Sequence, residues 1–137
     1  MLDPSHIPPV DDDELLARYV TQSGQFRKGD QSVKADLFMP HPHRELSVTR
    51  HRDATESEIW AVGKAVALSR KRLYGRADIQ AMHCQVDDLR ITAKPLLPQN
   101  PNHADIEGWP IEKADKKVLA LRLADTASKL IPSPLEP

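Results

Sequence analysis

The sequence predicts an α+β domain in which a small sheet of a few short strands is packed by a central helix and a long C-terminal helix. Three observations carry that expectation. Glu45-Leu-Ser-Val-Thr-Arg50 alternates polar and apolar residues and includes β-branched side chains, the period-two signature of a strand. Thr55-Glu-Ser-Glu58 has the form of a capping box, in which a Thr hydroxyl and a Glu three residues on satisfy the free amides of a helix start. Residues 111–131 carry apolar side chains at helical spacing and end at Pro132 and Pro134.

The elements follow in order. Residues 1–10, with Pro4, Pro8 and Pro9, read as an extended Pro-rich tail. Asp11-Asp-Asp-Glu14 then opens a short helix to about Val20, its carboxylates facing the positive end of the helix dipole and Leu15, Leu16 and Tyr19 forming an apolar edge. Turn residues dominate 21–34, and Ala35–Met39 reads as a short strand before Pro40. In the strand 45–50, Leu46 and Val48 face the core and Ser47 and Thr49 the other side. Behind the capping box, Ile59, Val62 and Val66 share one face of a helix over 56–71, in which Gly63 costs about 1 kcal/mol relative to alanine.

Leu73-Tyr-Gly75 reads as a turn or a short extended piece, Asp78–Cys84 as one or two helical turns, and Leu89–Ala93 as a second strand stopped by Pro95 and Pro98. Residues 96–110 then read as a long proline-bearing loop, a kind of segment that is more often functional than idle. Pro110 suits the first position of the last helix, in which Ala114, Val118, Leu121 and Leu119, Leu123, Ala127, Leu130 build a broad apolar face. The single domain spans 11–131, and 132–137 form a Pro-rich C-terminal tail.

Bulk composition narrows the function classes. A chain of 137 residues suits one domain, and 19 Lys+Arg against 20 Asp+Glu exclude a globally basic nucleic-acid binder and a strongly acidic solvating protein. One cysteine, Cys84, closes no intramolecular disulfide and builds no cysteine-rich zinc site. The N-terminus lacks the basic start and apolar stretch of a signal peptide, and no apolar run approaches the ~20 residues that span a bilayer. The expectation is a cytoplasmic protein with no membrane partner. The charge is uneven: residues 1–26 carry a net −4, residues 27–76 a net +5 and residues 77–137 a net −2. The middle third is a basic island, and a local field of this kind guides a partner more than net charge does.

Three segments hold side chains with chemistry. The first is Met39-Pro-His-Pro-His-Arg44, with Arg50-His-Arg52 after it. His41 and His43 have the acid–base range of imidazole, and Arg44, Arg50 and Arg52 suit bidentate capture of phosphate or carboxylate. The alternative is a proline-stiffened loop leading into an edge strand. The second is Arg70-Lys-Arg72-Leu-Tyr74-Gly-Arg76-Ala-Asp78, whose cations surround one aromatic ring as in a phosphate-backbone grip with a stacking platform. Its alternative is the basic end of a helix, with Arg76 and Asp78 as an internal ion pair.

The third is Gln99–Pro110, in which His103 reads as an acid–base group or a ligand beside Asp105, while Trp109 reads as a core plug and the asparagines as turn formers. His41 and His43 alone do not make a metal site, which needs a third and fourth ligand, so no metal is assigned. Phosphate-binding loop, dinucleotide, zincin, nucleophile-elbow and zinc-deaminase motifs are all absent.

Four of these stretches together resemble a family of small bacterial proteins of unassigned activity: Glu45–Arg50, Glu58-Ile-Trp60, Gly75-Arg-Ala-Asp78, and Asn100-x-x-His-Ala-x-Ile-x-Gly-Trp-Pro110. The resemblance covers about residues 18–130. It implies a bacterial cytoplasmic setting and assigns no reaction, cofactor or catalytic residue.

The leading expectation is a binding module for a phosphate-bearing ligand, either a nucleic-acid backbone or a nucleotide, serving as accessory to a larger partner. Its ligand-binding residues would be Arg44, Arg50, Arg52, Tyr74, Arg76 and Asp105. A rival is a small hydrolase or transferase acting on RNA or a nucleotide, with His43 and His103 as its acid–base pair; this needs 41–52 and 99–109 to meet in one cleft. A third is a protein-binding adaptor, marked by an exposed apolar patch beside the last helix. The cofactor is unspecified by the sequence.

Overall fold

A computed structural model describes residues 1–40, 45–70 and 72–134. Six strands form one antiparallel sheet: β1 (Leu15–Val20), β2 (Leu46–Arg50), β3 (Gly75–Gln80), β4 (Arg90–Ala93), β5 (His103–Glu107) and β6 (Ile131–Pro132). Their order across the sheet is β4-β5-β2-β1-β3-β6. The two helices are α1 (Glu56–Ala67), continued by a 3-10 turn to Arg70, and α2 (Lys113–Thr126). Among the described residues no helix is long and apolar enough to cross a membrane.

This architecture corrects the expected one. The sheet is the framework, the helices are of similar length, and α2 is neither long nor C-terminal to everything else, since β6 follows it. The predicted helix over 11–20 is instead β1, a central strand. Leu16 and Val20 are buried in the main core on one face, and Ala17 and Tyr19 are buried beneath α1 on the other. A strand covered on both faces reads as a continuous apolar run, which periodicity alone does not separate from a helix.

Three further differences have similar causes. Ala35–Phe38 forms a 3-10 turn where a strand was expected, and Gly75–Gln80 pairs as β3 where a turn or short extended piece and then the start of a helix were expected. The expected loop 96–110 contains β5, whose Ala104 and Ile106 are fully buried. Its flanking prolines and asparagines conceal a five-residue alternation. The last helix stops at Thr126 because the chain beyond it is captured elsewhere: Ser128 N–H donates to Asp78 O at 2.8 Å and Leu130 N–H to Gln31 O at 2.8 Å. Leu119 and Leu123 enter the core as expected, whereas Val118 and Leu121 are exposed.

Other expectations match what is found. β2 buries Leu46 and Val48. The capping box forms, with Glu58 N–H donating to Thr55 Oγ1 at 3.1 Å and Thr55 N–H to Glu58 Oε1 at 2.9 Å. Trp109 is buried and its indole N–H donates to Ile106 O at 2.8 Å.

The layers follow from these faces. The main core fills the side of the sheet closed by α2 and by the 3-10 turns at 35–38 and 81–84. A smaller cluster of Ala17, Tyr19, Ile59 and Val62 anchors α1 to the opposite side. Gly63 belongs to that contact, because a Cβ there would stand 2.6 Å from Tyr19 Cε1. The N-terminal segment is tied down as well: Leu2 is buried, its N–H donating to Asn102 Oδ1 at 2.8 Å.

Candidate functional site

β1 and β2 pair only at Leu16–Arg50 and Ala17–Thr49, although β1 continues alongside β3 as far as Val20–Gly75. Beyond those two pairs the strands part. Arg18 occupies the opening: its Nε donates to Leu37 O of the 35–38 turn at 2.9 Å, and its Nη1 to Ser47 O, in the part of β2 that β1 leaves unpaired, at 3.0 Å. Over this opening, between α1 and the sheet, lies a cleft of about 640 Å³. Val62 and Val66 of α1 and Leu96 give it apolar walls; Arg18, Arg70, Thr49 and His103 are among its polar groups. That volume lies within the usual range for small-molecule sites, about 300–1,000 Å³.

Arg18 is the unusual member. Among the described residues it is in no ion pair, and its two partners are neutral carbonyls. Burial, with the Arg70 charge adding to it, lowers its pKa to about 10. A half-buried guanidinium without a carboxylate loses part of its hydration with no countercharge to offset the loss.

β5 brings an acid–base group to the same cleft. His103 Nδ1 lies 2.9 Å from Lys94 O, an acceptor only, so this nitrogen carries the proton and Nε2 of the neutral ring keeps a lone pair. Nε2 lies 3.7 Å from Asp105 Oδ1. Burial pushes the Asp105 carboxyl above the usual aspartate range, and the neighbouring Glu45 carboxyl pushes it further. Glu45, Asp105 and Glu107 place carboxylate oxygens within 4.8 Å of one another. The Lys94 ammonium already serves as their cation, in contact with Glu107 and 3.7 Å from Asp105 Oδ2.

The residues singled out from sequence are distributed differently from the expected constellation. His41, His43 and Arg44 lie outside the described residues. Arg50 is fully buried, its guanidinium bound to Glu14 at 2.7 Å through both Nε and Nη2, to Pro8 O at 2.8 Å and to Pro9 O at 3.1 Å. Arg52 pairs on the surface with Asp11 at 3.2 Å. Tyr74 packs its ring against Phe26, with Arg72 above it at 4.2 Å.

Arg76 is buried between Glu56, at 2.9 Å, and Asp78, at 3.0 Å, beneath the Trp60 ring. It is thus part of an internal ion-pair network that also takes in His51, whose Nε2 is 2.9 Å from Asp78 Oδ1. Of the predicted residues that are described, His103 lines the cleft, with Asp105 buried 3.7 Å from its Nε2. Arg18 was missed as a site residue, and Arg70 was singled out within the 70–78 segment but not included among the ligand-binding residues. The signal for Arg18 was a lone charge inside Leu15-Leu-Ala-Arg-Tyr-Val20, legible only once that run is known to be a central strand.

No family model, curated protein or solved structure matches this chain.

Proposed function

We propose that the cleft between α1 and the sheet binds a phosphate-bearing small molecule of nucleotide size. One observation carries the reading: Arg18, half-buried and among the described residues without a carboxylate partner, faces a cleft of about 640 Å³. An anion there would supply the missing countercharge, with Arg70 as a second cation at the same wall. The apolar surface of Val62, Val66 and Leu96 suits the face of a nucleobase.

Between a nucleotide and a nucleic-acid backbone, the geometry favours the nucleotide. Much of the basic island is internally neutralised, with Arg50, Arg52 and Arg76 each paired to acids, which weakens the extended positive field that a polymer would need.

The test is calorimetric titration of the protein with AMP, ADP and ATP at two salt concentrations, beside Arg18→Gln. Charge-assisted hydrogen bonds contribute about 1.5–3 kcal/mol, so the substitution should weaken binding roughly 10- to 100-fold, and added salt should weaken it in the wild type. Absence of binding by all three nucleotides, or equal affinity in Arg18→Gln, would overturn the reading.

A further inference from the structure

We infer that the cleft is also hydrolytic: His103 acts as the base that activates water against the terminal phosphoanhydride of a nucleoside di- or triphosphate. This rests on the reading of the cleft as a phosphate site. The arrangement supplies each part that such a base requires. The Lys94 carbonyl fixes the ring by accepting from Nδ1, which leaves the Nε2 lone pair available. The proton that Nε2 takes up creates an imidazolium, and Asp105 Oδ1, 3.7 Å away, is placed to stabilise that charge.

Sheet geometry brings the base toward the anion. Thr49 of β2 pairs with His103 of β5, while Arg18 reaches from β1 to the Ser47 carbonyl of β2. Arg18 and His103 both line the cleft, on either side of β2.

In the step, the water oxygen forms a bond to the terminal phosphorus as the bond from phosphorus to the bridging oxygen breaks. The bridging oxygen keeps the electron pair and leaves as the terminal oxygen of the shortened nucleotide. The water proton passes to Nε2 and then to solvent. Since the leaving group is a phosphate, it departs without needing a proton, and a single base suffices.

The experiment measures inorganic phosphate release from ADP and ATP, with magnesium chloride present, alongside nucleotide affinity. His103→Asn keeps a side-chain N–H for the Lys94 carbonyl but has no basic nitrogen; it should lower turnover at least a hundredfold while affinity stays within a few-fold. Asp105→Asn should reduce kcat and leave KM nearly unchanged. His103→Gln gives a second test if His103→Asn does not fold. Nucleotide binding with no phosphate release by the wild type would overturn the hydrolase and leave the binding reading standing. Undiminished release by a folded His103 variant would also overturn it, and failure of any nucleotide to bind would remove both.

Discussion

Arg18 reaches across the gap between two neighbouring strands to donate its Nη1–H to Ser47 O at 3.0 Å. A side chain thus replaces the backbone ladder where β1 and β2 separate, and the separation opens the cleft beneath α1. Strands that paired fully would leave no room for a guanidinium between them. The fold and the proposed site share one cause: a cation placed inside an apolar central strand.

Arg50 and Glu14 form the most enclosed ion pair, with side chains 0% and 6% exposed. Arg50→Leu should destabilise the protein by about 3–5 kcal/mol, because it leaves the Glu14 carboxylate buried and unpaired. The double substitution Glu14→Leu with Arg50→Leu should cost clearly less than the two single costs added. Urea denaturation of the four proteins checks this, and strict additivity would contradict it.

Gly63→Ala sets two effects against each other. Alanine is favoured in a helix by about 1 kcal/mol, but its Cβ would stand 2.6 Å from a Tyr19 ring whose hydroxyl is held by Ile59 O at 2.6 Å. A buried ring fixed at its tip has little freedom to yield, and overpacking costs typically about 1–3 kcal/mol. The variant should therefore lower the denaturation midpoint; a rise would show that the ring gives way.

Acid should unfold the protein partly through Asp78. Burial by itself would raise this carboxyl, but hydrogen bonds with His51 and Arg76 outweigh burial and hold it below the usual aspartate range. Glu56, also bonded to Arg76, is lowered too. A carboxylate lowered in the folded state stabilises above its unfolded pKa, and that stabilisation disappears as pH falls through the folded value, broadly from pH 5 toward 2. Asp105, being raised, works in the opposite direction over the range just above 3.8. In Asp78→Asn, stability near neutral pH should fall and the acid limb should become shallower; an unchanged limb would assign the acid sensitivity elsewhere.

Cys84 should be inert in the native state. It is fully buried, and burial pushes the thiol up to about 12. Labelling by a thiol reagent at pH 8 should be negligible without denaturant and rapid in unfolding concentrations of urea. Rapid labelling of the native protein would show that the surrounding core opens locally.

Local chemistry alone determined α1, β2 and the interior place of Trp109. A capping box, a period-two alternation and a large ring each act within a few residues of chain, so their outcome is readable there. Tertiary structure decided the rest. Leu15–Val20 is a strand because β2 and β3 pair with it and both its faces are covered, and β5 exists because β2 and β4 receive it. The arginines of the basic island were only partly sortable from their own segments: Arg76 pairs with Asp78 two residues on, as one reading of its segment has it, but Arg50 meets Glu14 36 residues away and Arg76 also meets Glu56 20 residues away. Arg18 acquires its significance in the same manner: a charge becomes informative only when distant strands and a helix remove part of the water around it.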